Sequence, residues 1–596
     1  MTKIKWPVKV LPNPLAIAVA LGFSAPMAQA VNFNIGPIEA QLDSSLSVGA
    51  SWSMRGADPD LVGQTNGGKT AATANDDGRL NFKKGETFSK IFKGLHDLEL
   101  KYGDTGIFLR GKYWYDFELK DENRPHKDIS DSNRKIGAQS SGAELMDAFI
   151  YHNYSIDDLP GSVRLGRQVV SWGESTFIGN SINAINPMDV AAFRRPGAEI
   201  KEGLIPVQML FVSQGITDQL SAEAFYQLDW EQTVVDNCGT FFGSDTIADG
   251  CTDGFTVGPA RNVGFARPFA GDMGVNITQE GLVIPRGGDR DARDSGQWGL
   301  ALRWMGENTE YAAYAMNYHS RLPYLGFTTP NAADIGLGLS MMQHTPLPNL
   351  NSLLMQTSLL GNSQYFFEYP EDIRLYGLSF STTLENGTAW SGEISYRPNM
   401  PLAINAHDAT NSPVLEVVNG FLTGGLNGAF GTANQDLQAY SRKEVTQAQT
   451  TLTHFIERVA GSDRLILVGE LGVTQIGALE PRSERRYGRI AEVGDYAAGD
   501  ENGFFTKTSW GYRARAIMEY SNVFAGVNLK PNVAWSHDVD GYGPTFNEGS
   551  KAVSVGIEAD YRSIYTASLS YTDFFGGDYN NQIDRDFLAF SAGMSF

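Results

Sequence analysis

Hydrophobic and polar residues alternate with a period of two along most of the chain. Near the start, one parity is hydrophobic: Ile38, Ala40, Leu42, Leu46, Val48, Ala50 and Trp52. The residues between them are mostly polar: Glu39, Gln41, Asp43, Ser45, Ser47 and Ser51. The chain closes in the same way, with one apolar face that contains Leu588, Phe590, Ala592, Met594 and Phe596. This periodicity predicts strands with two different faces, and the first is as long as a tilted strand that crosses lipid.

The same alternation predicts eight strand pairs between these two end strands. They are 95–102 with 106–118, 144–154 with 162–170, 205–213 with 219–231, 297–305 with 310–320, 373–384 with 388–398, 445–459 with 463–474, 510–520 with 523–536, and 551–561 with 563–575. Turn-forming residues join several pairs, as in Gly103-Asp104-Thr105 and Glu385-Asn386-Gly387. Long connections separate the pairs at 53–94, 119–143, 171–204, 232–296, 321–372, 399–444 and 475–509.

An even strand number with alternating short and long connections is typical of bacterial outer-membrane barrels. We therefore predict an all-β fold, a transmembrane antiparallel β-barrel of about 18 strands, with 16 strands as the alternative. The long external loops are expected to be partly helical and to fold over or into the barrel. A closed sheet of this size leaves an aqueous lumen unless chain fills it.

The N-terminal residues predict export. Lys3, Lys5 and Lys9 precede an apolar run over 15–23, and Ala28-Gln29-Ala30 supplies the small residues of a signal-peptidase site. We predict a signal peptide over 1–30 and a single barrel domain over 31–596. The expected location is the outer membrane of a Gram-negative cell.

Charge and composition exclude some classes and leave others open. The chain has 47 Lys and Arg against 68 Asp and Glu, a formal net charge of −21, which argues against a nucleic-acid partner. In an exported chain, Cys238 and Cys251 are expected to form one local disulfide. The eight His are scattered, so no metal site is predicted. Four nearby acids could offer oxygen ligands to calcium, although solvated acid is the simpler interpretation: Asp236, Asp245, Asp249 and Asp253.

Charged residues occupy the inward parity of several predicted strands. The candidate lumen charges are Arg110, Lys112, Arg513, Arg515, Glu558 and Asp560. Wall ion pairs are the simpler interpretation of these residues. A selectivity filter is the alternative, although mixed signs do not by themselves select an ion.

Two of the long connections are as apolar as core helices. Their candidate ligand-contacting residues are Met341, Met342, Leu347, Leu350, Leu354, Leu415 and Phe421. These segments could pack against each other as a plug, or they could form an adaptable site for an apolar ligand, and both can hold.

A further long connection contains the most distinctive sequence. It runs from Arg167 to Thr176 as RQVVSWGEST and continues with Asn186-Pro187-Met188-Asp189 and Arg194-Arg195-Pro196-Gly197. The candidate constriction residues are Trp172, Glu174, Asp189, Arg194 and Arg195. The alternative is that the Trp and the Arg–carboxylate pairs fix the loop to the wall.

Together with Gly239-Thr240-Phe241-Phe242 and the segment GEISYRPN at 392–399, these phrases resemble the proteobacterial outer-membrane family DUF1302. The resemblance covers nearly all of the chain after the predicted signal peptide. It implies a role with hydrophobic compounds, and as partners a periplasmic lipoprotein-like protein and an inner-membrane exporter. It supplies no catalytic or binding residues. Outer-membrane lipid, lipopolysaccharide and the barrel-assembly machinery are the partners expected of the fold.

Enzyme signatures are weak in this sequence. Gly173-Glu174-Ser175 lacks the spacing of a Gly-x-Ser-x-Gly nucleophile motif, so no catalytic residues and no cofactor are predicted. The sequence favours a passive outer-membrane channel or transfer protein for hydrophobic small molecules such as lipids, sterols or long-chain esters. A plugged barrel that serves as a surface scaffold is the alternative, and a general diffusion porin is the second alternative.

Overall fold

A computed structural model describes residues 31–70, 75–252, 255–258, 264–489 and 500–596 of the chain. The predicted signal peptide, 1–30, lies outside the described residues. No helix within the described ranges is long and apolar enough to span a bilayer.

Eighteen antiparallel strands form one closed barrel, as the sequence predicts. In chain order they are β1 (Ile38–Ser53), β2 (Thr87–Tyr102), β3 (Thr105–Asp116), β4 (Ser141–Ile156), β5 (Leu159–Gln168), β6 (Val207–Gly215), β7 (Leu220–Gln227), β8 (Trp298–Met305), β9 (Thr309–Tyr318), β10 (Ile373–Thr383), β11 (Ala389–Ala403), β12 (Tyr440–Glu457), β13 (Arg464–Ile476), β14 (Thr508–Phe524), β15 (Val527–Asp540), β16 (Lys551–Tyr561), β17 (Tyr565–Phe575) and β18 (Phe587–Ser595). Each strand pairs with its sequence neighbours, and β1 closes the sheet against β18 from Ser45↔Ser595 to Ser53↔Phe587.

Short turns and long connections lie at opposite ends of this barrel, which we call the turn end and the loop end. A short additional strand, Val31–Ile35, lies at the turn end and pairs with Ile38–Leu42 of β1, beyond the end of β18. The sequence pattern did not predict this strand.

The predicted strand limits differ from the observed ones mainly at the loop end. β2 begins at Thr87 rather than at 95, because its pairing with β1 continues to Ser51 and Trp52. β3 ends at Asp116, whose carboxylate accepts hydrogen bonds from the backbone N–H groups of Glu118 and Leu119 and starts a short helix. Glu118, which the alternation assigns to a strand, therefore lies in that helix.

The connections at the loop end contain short helices and a small separate sheet. The described helices are α1 (Asp77–Asn81), α2 (Phe117–Asp121), α3 (Val190–Arg194), α4 (Ile200–Gly203), α5 (Ala270–Met273), α6 (Ala332–Ser340), α7 (Pro348–Gly361), α8 (Ala406–Thr410) and α9 (Ser412–Phe430), with 3-10 turns at Pro59–Leu61, Gln64–Asn66, Ile136–Ala138, Gly264–Phe269 and Met341–Gln343. Strands Gln364–Glu368, Tyr324–Thr328 and Asp436–Gln438 form a three-stranded sheet, and Thr256–Val257 pairs with Leu282–Val283.

The two faces of the wall have different chemistry, as the alternation requires. Leu300, Leu302 and Leu378 share one face of adjoining strands and are largely exposed, as side chains that face lipid should be. Gly377, the neighbour of Leu378, belongs to the opposite face, which is turned to the barrel interior. A Cβ added to Gly377 would lie 2.8 Å from Ile182, a residue of a connection inside the barrel.

A charge on the lipid face should destabilise the barrel. Leu378 lies at the middle of β10, so Leu378→Arg is expected to cost about 2–4 kcal/mol of unfolding free energy, the range for Arg at the bilayer midplane. Chemical denaturation of protein folded into liposomes measures this difference. Thr566→Arg, on the lumen face of β17, is the control and should cost much less. Equal losses in the two variants would contradict the assignment of the faces.

Candidate functional site

Residues 169–206, which connect β5 to β6, lie inside the barrel, and we call them the lumen loop. Glycines of the wall and of the loop allow the two to approach closely. A Cβ added to Gly49 of β1 would lie 2.6 Å from Pro196 Cβ, and one added to Gly197 would lie 2.7 Å from Ser591 Cβ of β18. Together with the contact between Ile182 and Gly377 of β10, these approaches show that the loop reaches widely separated parts of the wall.

Two wall carboxylates hold the backbone of the first half of the lumen loop. Glu470 of β13 accepts hydrogen bonds from the N–H groups of Thr176, Phe177 and Ile178 at 2.9, 2.6 and 2.7 Å. Glu393 of β11 accepts from the N–H group of Glu174 and, at 3.3 Å, from that of Ile182. Irregular backbone without such acceptors would leave buried donors unpaired, which costs free energy.

Wall donors satisfy the carbonyl groups of the same segment. Arg397 of β11 donates to the carbonyl oxygens of Asn180 and Ser181 at 3.1 and 2.5 Å. Gln449 and Gln447 of β12 donate to the carbonyls of Ile178 and Gly179 at 3.1 and 2.8 Å. The wall thus supplies both acceptors and donors to residues 174–182, and these contacts fix the path of that segment.

Buried ion pairs hold the second half of the loop to the opposite wall. Asp189 caps α3 by accepting from the N–H of Ala192 at 2.9 Å, and its other oxygen lies 2.9 Å from Lys112 Nζ of β3. Glu202 lies 2.7 Å from Lys93 Nζ of β2. A buried charge requires a partner, so these pairs tie the loop to β2 and β3.

Trp172 and Glu174, two of the predicted constriction residues, have different environments. Trp172 is 1% exposed, donates from Nε1 to Glu223 Oε2 at 2.7 Å and packs beside Phe225, so it is part of the core between loop and wall. Glu174 is half-buried, and burial, together with the nearby Glu310 carboxylate, raises the pKa of its side chain.

Arg194 and Arg195 connect the loop to neighbouring connections. Arg194 lies 3.1 Å from Asp236, and its guanidinium stacks 4.3 Å above the ring of Phe242. Burial raises the pKa of Asp236, and the Arg194 charge opposes this rise. Arg195 donates to a backbone carbonyl, Gly137 O, at 2.7 Å. The observed contacts of Trp172, Asp189, Arg194 and Arg195 are those of side chains that fix the loop.

Space remains in the lumen beside β15–β18. A cavity of about 750 Å³ lies between this wall, β1, β2 and loop residues 197–202. Its charged lining residues are Lys93, Glu199, Glu202, Lys530, Glu558 and Asp560. A second cavity of about 380 Å³ shares Ser45 and Ser595 with the first and reaches Phe596 at the turn end. Carboxylates outnumber ammonium groups here, so the lining of this side of the lumen is polar and carries a formal net negative charge.

The remaining predicted lumen charges form wall ion pairs or line this cavity. Arg110 lies 2.7 Å from Asp97 on the adjacent strand. Arg513 lies 2.6 Å from Asp538 on β15. Arg515 lies 3.5 Å from Glu558, and Asp560 lines the larger cavity. The observed contacts of the six charges are thus with other wall strands, with the lumen loop or with the cavity.

A cap of helices and strands lies at the loop end and consists of residues 264–290, 324–368 and 404–438. Met341, Leu354 and Val417 are buried in its helical core, and Leu350 and Phe421 pack against that core. Met342, Leu347 and Leu415 are exposed, at 48%, 59% and 57%. The predicted apolar segments thus divide into a packed core and an exposed apolar surface.

The disulfide-bonded loop lies beside the cap. Cys238 and Cys251 are joined, as the sequence predicts, and Arg134 donates to the Asp249 carbonyl at 3.1 Å. Of the acids considered for calcium, Asp236 pairs with Arg194 and Asp245 accepts from backbone N–H groups. Asp253 lies outside the described residues.

The alternation of hydrophobic and polar residues does not distinguish Glu393, Arg397 and Glu470 from other wall residues. All three occupy inward positions of long strands. Glu393 and Arg397 belong to the segment at 392–399 that carries part of the family resemblance. This membership is the sequence signal that could have identified them as anchors. Their role as anchors depends on contacts with residues more than 200 positions away.

Loss of the Glu470 anchor should open the lumen. Glu470→Ala removes the acceptor of three backbone donors; the buried N–H of Ile178 is left unpaired at roughly 1–3 kcal/mol, and those of Thr176 and Phe177 turn to water. The segment around Thr176 should loosen, and the leak of small saccharides through protein in liposomes should rise severalfold. Glu457→Ala, which removes an exposed carboxylate paired with Arg464 at the turn end, is the control and should leave the leak unchanged. An unchanged leak in both variants would show that the loop does not limit passage.

The cap is expected to loosen as pH rises from acid towards neutrality. Burial raises the pKa of Glu368 from 4.5 to about 7, and the nearby Asp436 carboxylate adds to this rise. The amide of Gln438 and the charges of Arg290 and Arg442 oppose the rise. The folded cap therefore binds this proton more tightly than the unfolded chain does, and its stability falls between about pH 4.5 and 7.

Protease cleavage of the cap, measured from pH 5 to pH 8, tests this expectation. Cleavage should accelerate with pH beyond the protease's own profile, and Glu368→Gln should flatten the dependence. Glu416→Gln, which neutralises another cap carboxylate, is the matched control and should retain it. A pH dependence that survives in Glu368→Gln would assign the effect to another group.

Comparison with solved structures gives weak likenesses. The crystal structure of Acinetobacter baumannii OccAB1 is 8% identical, with a TM-score of 0.38, and the alignment covers 96% of this chain and 98% of that chain. Pseudomonas aeruginosa OccD3 (OpdP) is 9% identical, with a TM-score of 0.39 and coverage of 96% and 94%. The outer membrane channel DcaP of Acinetobacter baumannii is 9% identical, with a TM-score of 0.33 and coverage of 95% and 100%.

The sequence comparisons differ in outcome. No curated protein matches the chain. The model of the family described as "Protein of unknown function (DUF1302)" matches residues 11–596, nearly the whole length. The family resemblance of the loop and strand phrases is thereby confirmed, and the chain belongs to the DUF1302 family.

Proposed function

We propose that this protein is an exported outer-membrane barrel that transfers small hydrophobic molecules across the membrane without chemistry. In this proposal the loop end faces the outside, the cap receives the ligand, and the lumen beside β15–β18 is the passage. The observation that carries the proposal is the exposed apolar face of the cap.

Helix α9 is apolar on two faces. Val417 is fully buried in the cap core, whereas Leu415 and Leu422 are 57% and 74% exposed. The two leucines are seven positions apart and share one face of the helix. A surface helix ordinarily turns polar side chains to solvent, and exposed apolar side chains that share a face mark a candidate binding surface. The exposed Met342 and Leu347 add adaptable apolar area to the same cap.

The energetics favour capture at the cap and release from the lumen. Burial of apolar ligand surface against the cap contributes about 25 cal/mol per Å². The cavity beside β15–β18 is lined by Lys530, Glu558 and Asp560, among other charges. It therefore offers an apolar molecule much less apolar contact area than the cap does. A ligand that enters this lumen is therefore held weakly and can leave at the turn end.

A second candidate function, a plugged surface scaffold, is favoured by a different observation. Glu393, Glu470 and the Asp189–Lys112 pair tie the lumen loop to both sides of the wall. If the loop never moves, only the cavity beside β15–β18 is left for passage.

Charge on the exposed apolar face of α9 should strongly reduce the uptake of hydrophobic solutes. The double variant Leu415→Asp, Leu422→Asp removes the exposed apolar side chains and leaves the core residue Val417 in place, so the cap should remain folded. Uptake of a radiolabelled long-chain ester by cells is expected to fall at least about tenfold, because each lost leucine contact is worth roughly 1–2 kcal/mol. Gln435→Glu, which adds an exposed charge to the cap beyond the end of α9, is the control and should leave uptake unchanged.

Saccharide leak from liposomes separates the candidates. Transfer of hydrophobic molecules predicts reduced ester uptake in the double variant with the same low saccharide leak. Ester uptake that is unaffected by the double variant would overturn the role of the cap. Absence of both ester uptake and leak in the wild type would favour the scaffold, and a large wild-type leak would favour a general porin.

A further inference from the structure

Two buried carboxylates and one imidazole meet at the loop end, outside the lumen and the cap. Asp76 and Asp77 belong to the connection between β1 and β2, and His126 belongs to the connection between β3 and β4. One ligand atom from each residue lies within 4.8 Å of the other two. Asp77 Oδ1 and His126 Nε2 are 3.2 Å apart.

Asp76 has an oxygen without a partner. The residue is 1% exposed. Its Oδ2 accepts hydrogen bonds from Gly63 N at 2.8 Å and from Asn66 Nδ2 at 3.0 Å. Its Oδ1 is buried and accepts none from the residues that the structure describes. A buried, unpaired carboxylate oxygen is costly, so a ligand that binds this oxygen would remove a real penalty.

The local charge favours a cation. Lys127 Nζ lies 3.0 Å from Asp77 Oδ2 and offsets one carboxylate. Asp245, also buried, lies alongside and accepts from Asp77 N at 3.2 Å. Glu280 is near Asn66, with 3.5 Å between its Oε1 and Asn66 Nδ2. By formal charge, the carboxylates of this cluster outnumber its ammonium group.

We propose that Asp76, Asp77 and His126 form a site for a divalent transition-metal cation of the Zn²⁺ or Mn²⁺ type. The imidazole nitrogen distinguishes these cations from Ca²⁺ and Mg²⁺, which prefer oxygen ligands. Ligand atoms around a tetrahedral Zn²⁺ lie about 3.3 Å apart; Asp77 Oδ1 and His126 Nε2, which now pair directly at 3.2 Å, are therefore close enough to share one cation. The free oxygen of Asp76 supplies the third ligand.

A bound cation would cross-link two connections that are distant in sequence. It would join the connection from β1 to the one that follows β3, next to the disulfide-bonded loop, where Asp245 lies. This is a stabilising role at the loop end and is independent of the proposed transfer of hydrophobic molecules.

Calorimetric titration of chelator-treated, tag-free protein in detergent tests the site. ZnCl₂, MnCl₂ and CaCl₂ are the probes. Saturable binding of one Zn²⁺ or Mn²⁺ per chain is expected, together with a rise in the unfolding temperature. His126→Gln, at the rim of the site, and Asp76→Asn should each weaken this binding at least about tenfold.

Asp60→Asn is the matched control, because Asp60 is an exposed carboxylate of the same connection and pairs with Lys69. It should bind the cation like the wild type. Heat-modifiable gel migration verifies that each variant is folded. The proposal is overturned if the wild type binds neither Zn²⁺ nor Mn²⁺, if only CaCl₂ gives a response, or if folded His126→Gln binds as tightly as the wild type.

Discussion

Pairing of backbone hydrogen bonds is the constraint on which this molecule depends. Hydrocarbon offers no partner to a free N–H or C=O group, so a sheet in lipid must have no open edge. The pairing of β1 with β18 meets this requirement along nine consecutive residue pairs, Ser45↔Ser595 to Ser53↔Phe587. Once the wall is closed, its side-chain alternation is fixed, because a shift of one residue would turn charged groups toward lipid.

The same constraint explains the chemistry of the lumen. The first half of the lumen loop is irregular and only partly buried, and its backbone lacks the internal hydrogen bonds of a helix or sheet. Glu393 and Glu470 supply acceptors, and Arg397 supplies donors, from fixed positions on rigid strands. Charged wall residues thus serve a structural purpose on one side of the barrel. On the other side, Lys530 and Glu558 line the cavity of about 750 Å³ and are available to solutes.

Much of the fold could be predicted from local sequence, because the signal for a membrane strand is local. The period of two predicts the number of strands, the end of the barrel at which each connection lies, and inward charges such as Arg110 and Arg513. It fails where pairing is non-local: β2 starts earlier than predicted because β1 continues beside it, and the strand Val31–Ile35 exists because β1 extends past β18.

The candidate site was predicted less completely, and for a physical reason. Composition identifies apolar connections, but not which of their residues face inward; Leu354 is buried while Leu347 is exposed. Likewise, Trp172 could be a pore residue or an anchor until its contact with Glu223 is known. The cluster of Asp76, Asp77 and His126 combines residues from two connections, which no spacing rule detects.

The anchors of the lumen loop also constrain the order of assembly. Thr176 is bonded to a wall residue 294 positions later in the chain, and Glu174 to one 219 positions later. Contacts of such high sequence separation form late, because a long stretch of chain must be ordered first. The segment around Thr176 can reach its observed position only after β13 has joined the sheet, so the width of the passage is set by the last two-thirds of the chain and not by the loop itself.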